Sequence, residues 1–272
     1  MSRRPTARLA RLPLLVPLAV LLLAQAVAGP SRAQRECAMR AVVELIALRE
    51  GTTGVFAPGT RVLASKSYVR GGRGGSGSIV DAGGLILTNA HVVASGTPAS
   101  AAPLVEVRLT ERPDQAARPA YLAEVVELDH HADLAVLRIV ADISGNPVGK
   151  LSLQAVPLGS SDDLLPGDSI SLLGYPAVGG QTITFTAGYV SGFVGDDYTG
   201  PGRRFIKTDA KLSVGASGGA AIDDQGRLVA IPTGLYFDRK GGAPQESQNY
   251  LRPLSLAVEM LARAGANLAA IR

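Results

Sequence analysis

The chain has 272 residues, of which 46% are apolar and 18% are charged, and this balance excludes a disordered or fibrous protein. It has no Trp and only 4% aromatic residues, so a core must be built from Val, Leu, Ile and Ala. The formal net charge of +4 suggests an anionic partner, but four of the basic residues lie in the first 28 positions. The remainder has 23 basic and 23 acidic residues and is formally neutral, which excludes a nucleic-acid surface.

Residues 1–28 have the pattern of a secretory signal peptide. Four arginines precede an apolar run of about 12 residues, and an A-x-A cleavage box ends at Ala28. The run is shorter than the roughly 20 residues of a spanning helix, which disfavours the alternative of a membrane anchor. We therefore predict an exported protein, periplasmic or extracellular, that is not attached to a membrane after cleavage.

The segment after the cleavage site is predicted to be helical. Between Gln34 and Glu50 apolar residues recur at spacings of three and four, and glycines follow. We expect residues 29–53 to form a helical N-terminal extension that packs on the main body. Cys37 is the only cysteine and has no paired His, so we predict an inert or buried thiol, with a link between two chains as the alternative.

A pattern of short strands extends from Gly54 to about Tyr236. Runs rich in Val, Ile, Leu and Thr alternate with clusters of Gly, Pro, Asp and Ser, which predicts an all-β domain. The predicted strands are Ser76–Val80, Leu85–Thr88, Val105–Leu109, Ala123–Glu127, Leu134–Ile139, Ser169–Leu173, Gln181–Ser191, Phe205–Thr208, Ala220–Ile222 and Leu228–Ile231. Asp81–Gly84 and Asp223–Gly226 are predicted hairpin loops. Helical spacing from Pro253 to about Ile271 predicts a closing helix.

Three segments contain side chains that can perform chemistry at a carbonyl group. His91 follows a predicted strand, Asp133 precedes another, and Ser217 lies among glycines in the segment Gly215–Gly219. Together they supply a nucleophile, a base and an anion that orients the base, in a chain order known for such triads. The backbone amides of Gly215 and Ser217 could point to one spot beside the Ser217 hydroxyl, as an oxyanion hole requires.

Two other motifs have simpler interpretations. His130 and His131 could suggest a metal, but adjacent side chains on a strand point to opposite faces, and we expect no metal site. The segment Gly71–Gly77 contains Arg-Gly-Gly steps like those of RNA-binding tails, but it lacks the Gly-Lys-Ser/Thr of a phosphate loop. We expect it to form a mobile loop.

Several blocks resemble the trypsin-like serine peptidases, in particular the bacterial HtrA (DegP-like) branch, over about residues 74–260. These blocks are Gly75–Val80, Leu87–Val93, Asp133–Leu137, Leu158–Asp162, Pro166–Asp168, Gly174–Pro176, Thr208–Ala210 and Gly215–Gly219. The resemblance implies two six-stranded antiparallel β-barrels in a domain of residues 54–272, divided at about residue 150. An N-terminal helical extension and a C-terminal helix would flank them.

The resemblance also implies roles for individual residues. His91 would be the general base, Asp133 would orient it, and Ser217 would be the nucleophile, with the amides of Gly215 and Ser217 as the oxyanion hole. The residues expected to contact substrate are Lys211, Leu212, Ile231 and Thr233. The implied reaction is hydrolysis of protein or peptide substrates through an acyl-enzyme, without a metal or organic cofactor.

The chain departs from the family pattern at several points. Ala216 stands where the family has Asn or Asp, Ala220 replaces a Pro, and Pro232 removes a backbone donor from the strand expected to pair with substrate. About 20 residues follow Arg252, so we expect no PDZ domain there. A catalytically silent peptide-binding relative and an esterase remain alternatives, and the sequence indicates no oligomeric state.

Overall fold

The computed structural model describes residues 29–50, 61–63, 66–70, 74–94, 101–177, 182–196, 200–235, 249–269 and 271. The predicted signal peptide lies outside these residues. In the part of the chain that the structure describes, no helix combines the length and apolar character needed to cross a membrane.

The N-terminal segment is half helix and half strand. Helix α1 (Arg32–Ala41) begins with a capping box, in which the Ser31 side chain accepts from the Gln34 amide and the Gln34 side chain accepts from the Ser31 amide. The chain then continues directly into strand β1 (Val42–Glu50). The helix predicted from Gln34 to Glu50 is therefore wrong from Val42 onward.

The helix prediction fails from Val42 onward because β1 is buried on both of its faces. Residues 42, 43, 45, 46 and 48 are all buried, so the apolar positions do not alternate as they would in a half-exposed strand. Burial on both faces gives short apolar runs whose spacing imitates that of a helix. The periodicity of apolar residues alone could not distinguish a fully buried strand from a helix.

The strands after β1 in the first half of the chain are β2 (Arg61–Leu63), β3 (Lys66–Arg70), β4 (Gly75–Asp81), β5 (Leu85–Thr88), β6 (Leu104–Leu109), β7 (Arg118–Asp129) and β8 (Leu134–Asp142). The first barrel contains six antiparallel strands in the order β1-β4-β5-β8-β7-β6, closed by the pairing of β1 with β6. A hairpin of β2 and β3 extends beside β1. The four-residue helix α2 (Ala90–Val93) follows β5.

The second barrel is closed by six strands in the order β10-β11-β14-β13-β12-β9. These strands are β9 (Ser169–Gly174), β10 (Thr184–Asp196), β11 (Gly200–Thr208), β12 (Ala220–Ile222), β13 (Leu228–Leu235) and β14 (Asn249–Pro253). A 3₁₀ turn (Leu254–Ala257) leads into helix α3 (Val258–Arg263), so the predicted closing helix is much shorter than expected.

The structure confirms the predicted double barrel, and every predicted strand lies in an observed one, apart from residues 182 and 183, before β10 begins at Thr184. Gln181 lies outside the described residues. The hairpins at Asp81–Gly84 and Asp223–Gly226 are also confirmed. The mobile loop expected at Gly71–Gly77 is wrong from Gly75, where β4 begins, and residues 71–73 lie outside the described ones.

Alternating side chains divide the core into layers. On β5, Ile86 faces the interior of the first barrel, whereas Leu85 and Leu87 join a cluster between the two barrels. On β12, Ala221 faces the interior of the second barrel, whereas Ala220 and Ile222 join the same intermediate cluster. Apart from Tyr175 and Met260, the buried apolar residues in the described part are Ala, Val, Leu and Ile, as the composition required.

Tyr175, just after β9, ties the two barrels together. Its ring is buried, and its hydroxyl shares a 2.6 Å hydrogen bond with the hydroxyl of Thr110, beyond β6. The same hydroxyl donates to the Val42 carbonyl at 3.4 Å, and the Tyr175 amide donates to the Ser76 hydroxyl at 2.8 Å. The end of β9 is thus held against three segments of the first barrel.

This contact predicts that the free energy of unfolding decreases at alkaline pH. Burial raises the pKa of Tyr175 from 10.0 to about 12, so above pH 10 the phenol ionises in the unfolded chain before it does so in the folded one. The contribution of Tyr175 to the free energy of unfolding is therefore complete below about pH 10 and is lost as the pH rises toward 12. Tyr175→Phe should lower that free energy by about 1 kcal/mol at neutral pH.

Denaturant unfolding at several pH values measures this effect. The difference between the parent protein and Tyr175→Phe should shrink above about pH 10. Tyr189→Phe is the control, because Tyr189 is 46% exposed. A difference for Tyr175→Phe that stays constant up to about pH 12 would contradict the assignment.

Candidate active site

His91 lies at the end of β5, in the first turn of α2, on the side of the first barrel that faces the second. The residue before the helix, Asn89, is fully buried, and its side chain makes no capping hydrogen bond to the helix. The His91 side chain remains 49% exposed, so its ring is accessible to another molecule.

The Asp133 carboxylate forms hydrogen bonds with both the backbone and the ring of His91. One carboxylate oxygen accepts from the His91 amide at 3.0 Å, and both oxygens lie 2.9 Å from Nδ1 of the ring. A carboxylate only accepts hydrogen bonds, so Nδ1 carries the proton and Nε2 is left as the acceptor. The pair predicted from sequence is therefore brought together.

The backbone of Asp133 is in the left-handed region, with φ of 53°. Asp tolerates this conformation better than most residues. The buried Asn89 side chain donates to the Asp133 carbonyl at 2.8 Å and so fixes the peptide that carries this conformation. Sequence reasoning did not identify Asn89 as part of the site.

Thr233, on β13 of the second barrel, also contacts the Asp133 carboxylate. Its hydroxyl donates to the second oxygen at 2.5 Å. Thr233 was expected to contact substrate, but its side chain is instead directed to the carboxylate. Asp133 is thus held by donors from both barrels.

Ser217 lies in a turn, residues 213–219, that packs against residues next to this group. Its carbonyl accepts from the Ser76 amide at 2.8 Å, and the next amide, Gly218, donates to the Pro232 carbonyl at 2.8 Å. Pro232 directly precedes Thr233, so one strand contacts both the turn and Asp133. A Cβ built on Gly218 would lie 3.1 Å from the Asn89 amide, two residues before His91.

The two glycines beside Ser217 have the left-handed conformations that their sequence suggested. Gly215 has φ of 97° and Gly218 has φ of 84°. A Cβ on Gly215 would lie 2.6 Å from the Tyr175 carbonyl and from the Ala177 amide. A side chain at either glycine would therefore force the turn open, because both the conformation and the space exclude it.

The peptide groups of the turn are fixed by their carbonyls. The Val214 carbonyl accepts from the Ala177 amide at 2.7 Å, and the Ala216 carbonyl accepts from the Gly219 amide at 3.1 Å. In a trans peptide the N–H points away from the C=O, so the amides of Gly215 and Ser217 are directed to the opposite side. Within the described residues, neither of these two amides donates to another protein group.

The other predicted substrate residues lie in two different environments. Lys211 and Leu212 line a narrow cleft beneath the 213–219 turn, walled by the end of β9 and the start of β10. Ile231, in contrast, has a fully buried side chain in the cluster between the barrels. Its side chain is therefore part of the core, and only the backbone of that segment could reach another molecule.

Pro232, which removes a backbone donor from its strand, lies where the pairing of β13 with β14 is irregular. It is paired with Leu251 of β14, and the register shifts between Pro232 and Gly234. A bulge is a common location for a proline in a sheet.

Cys37, on α1, is only partly exposed, and its sulfur accepts from the Gln154 side chain at 3.2 Å.

Comparisons with known proteins give the family of this chain. A family model described as a trypsin-like peptidase domain matches residues 75–231. A "probable periplasmic serine endoprotease DegP-like" of Marinomonas sp. (strain MWYL1) is 35% identical over 172 residues, covering 62% of this chain and 31% of the relative. Serine endoprotease DegS of Escherichia coli (strain K12) is 34% identical over 188 residues, covering 69% of this chain and 47% of the relative.

A solved structure described as the HtrA-type protease AlgW with decapeptide superposes with a TM-score of 0.59. It shares 28% identity, over 84% of this chain and 65% of that one. The chain thus spans about a third to a half of the length of these two curated relatives. The family model covers more than half of the chain, and the relatives share the predicted branch. The chain therefore belongs to the trypsin-like peptidase family, in its HtrA (DegP-like) branch.

Proposed function

We propose that this protein is an exported serine endopeptidase that hydrolyses protein or peptide substrates through a His91–Asp133–Ser217 triad. The observation that carries the proposal is the hydrogen bonding of His91 Nδ1 to both oxygens of Asp133, together with a nearby turn that contains Ser217 and two backbone amides without an acceptor among the described residues. Family membership and the serine endoprotease relatives support the same activity.

In the proposed reaction, Ser217 Oγ attacks the carbonyl carbon of the scissile peptide bond. Nε2 of His91 takes the hydroxyl proton, since Nδ1 is occupied by Asp133. The proton then passes to the leaving amine as the C–N bond breaks, which leaves an acyl group on Ser217. Water, activated by the same imidazole, hydrolyses the ester and restores the serine.

The proposed oxyanion hole consists of the Gly215 and Ser217 amides. They would donate to the oxygen that becomes negative when Oγ adds to the carbonyl. Ala216, where the family has Asn or Asp, leaves both amides in place, so this departure does not remove a donor. Each such donor is worth on the order of 3–4 kcal/mol of barrier.

The substrate class and the compartment are also proposed. The structural neighbour AlgW is described with a bound decapeptide, which supports a peptide or unfolded protein segment as substrate. A relative described as periplasmic, together with the signal-like residues 1–28, supports export to the periplasm or beyond. Lys211 and Leu212 are the candidates for selecting the substrate side chain.

A fluorophosphonate probe tests the nucleophile. It should label the processed protein at one site, and Ser217→Ala should abolish both labelling and cleavage of a casein substrate. Ser213→Ala is the control, because Ser213 is an exposed serine of the same turn and should still be labelled. Mass spectrometry of the labelled peptide identifies the modified residue.

A folded protein that neither labels nor cleaves would contradict the peptidase proposal and favour a peptide-binding relative. Labelling combined with hydrolysis of simple esters but not of peptides would indicate an esterase instead.

Asp133→Asn tests the orienting carboxylate. An amide can donate to Nδ1 and so favours the wrong imidazole tautomer, which should lower kcat by about 10³–10⁴-fold. Asp114→Asn, which removes an exposed carboxylate paired with Arg112, is the control and should leave kcat unchanged. A small effect of Asp133→Asn on peptide cleavage would refute this role.

A further inference from the structure

Ser76 connects the two barrels at the 213–219 turn. It lies in β4 of the first barrel and is fully buried. Its hydroxyl donates to the Gly215 carbonyl at 2.8 Å and accepts from the Tyr175 amide at 2.8 Å. Its amide donates to the Ser217 carbonyl at 2.8 Å. One small residue thus makes three hydrogen bonds to the second barrel.

The Gly215 carbonyl belongs to the peptide group between the two proposed oxyanion donors. The carbonyls on either side of it, those of Val214 and Ala216, are held by backbone amides. Among the described residues, the central carbonyl is held by a side chain, the Ser76 hydroxyl. The amide of the same peptide, that of Ala216, donates to the Ser213 carbonyl at 3.0 Å. The Ser76 hydroxyl is therefore one of two groups that orient the central peptide, and a single substitution can remove it.

We propose that Ser76 is a positioning residue that keeps the Gly215–Ser217 amides aimed as an oxyanion hole. This inference rests on the proposed peptidase function. Gly215 has no side chain and a left-handed backbone, so its backbone can adopt other conformations when its carbonyl loses the Ser76 hydroxyl and the Ala216 amide is the remaining anchor of the peptide. An unpartnered buried carbonyl is costly, so the turn would move to find another donor. The two amides would then no longer point to one place.

The chain supplies a matched control in the same strand. Ser78 is two residues further along β4, so its side chain points to the same face of the strand. It is equally buried, but its hydroxyl has no hydrogen-bond partner among the described residues. Ser76→Ala and Ser78→Ala thus remove the same atom from the same strand, and only the first loses contact with the turn.

The test compares peptide cleavage and inhibition by a peptide boronate, whose tetrahedral adduct places an oxygen in the oxyanion hole. For Ser76→Ala, kcat should fall about 10-fold and the boronate inhibition constant should rise by a similar factor, while KM stays within about two-fold. The loss should be smaller than the 10²–10³-fold expected for removal of an oxyanion donor itself. Ser78→Ala should match the parent protein in all three quantities.

Ser76→Thr, which keeps the hydroxyl, should restore most of the activity. Ser76→Cys fills nearly the same space with a weaker donor and provides the same test if Ser76→Ala does not fold. Thermal unfolding establishes the folded fraction of each variant.

Equal kcat values for Ser76→Ala and Ser78→Ala would overturn the inference. It would also be overturned if kcat fell while the boronate bound as tightly as to the parent, since the role of Ser76 would then be structural. A parent protein that neither cleaves peptides nor reacts with a fluorophosphonate would instead refute the proposed function itself, so the two failures are distinguishable.

Discussion

The carboxylate of Asp133 is the point on which the site depends. It accepts hydrogen bonds from the backbone and ring of His91 in the first barrel and from Thr233 in the second. A carboxylate that is partly withdrawn from water needs such donors, because an unpaired buried charge is expensive. The hydrogen bonds to this one anion therefore link the two barrels at the site and set the imidazole in one orientation.

Much of the fold could be predicted because short runs rich in Val, Leu, Ile and Thr end at turns that contain glycine or aspartate. Leu85–Thr88 and Ala220–Ile222 were predicted with their observed bounds because such turns adjoin them, although both strands are buried on both faces. Strand β1 could not be predicted, because its buried residues imitate helical spacing and no turn separates it from helix α1. Its pairing with β6 closes the barrel, and such a contact between distant segments leaves no local pattern in the sequence.

The candidate site was predictable where a motif carries the chemistry and not where tertiary packing does. The His91 and Asp133 motifs led to a pair that the structure does bring together. Nothing in the sequence indicated that Thr233 would turn to a carboxylate 100 positions earlier or that Ile231 would be part of the core. The roles of Asn89 and Ser76 could not be predicted, because small polar residues in a strand or at its end have no distinctive spacing. Only their hydrogen bonds give them a role.

Each barrel is formed by one continuous stretch of chain, residues 42–142 for the first and 169–253 for the second. The proposed base and its carboxylate are encoded in the earlier stretch, and the proposed nucleophile in the later one. A chain synthesised only as far as residue 142 would therefore lack the proposed nucleophile, and on the proposed mechanism it would be inert toward its own remainder and toward neighbouring proteins. The order of the segments along the polypeptide would by itself delay such reactivity until the second barrel has folded and packed against the first.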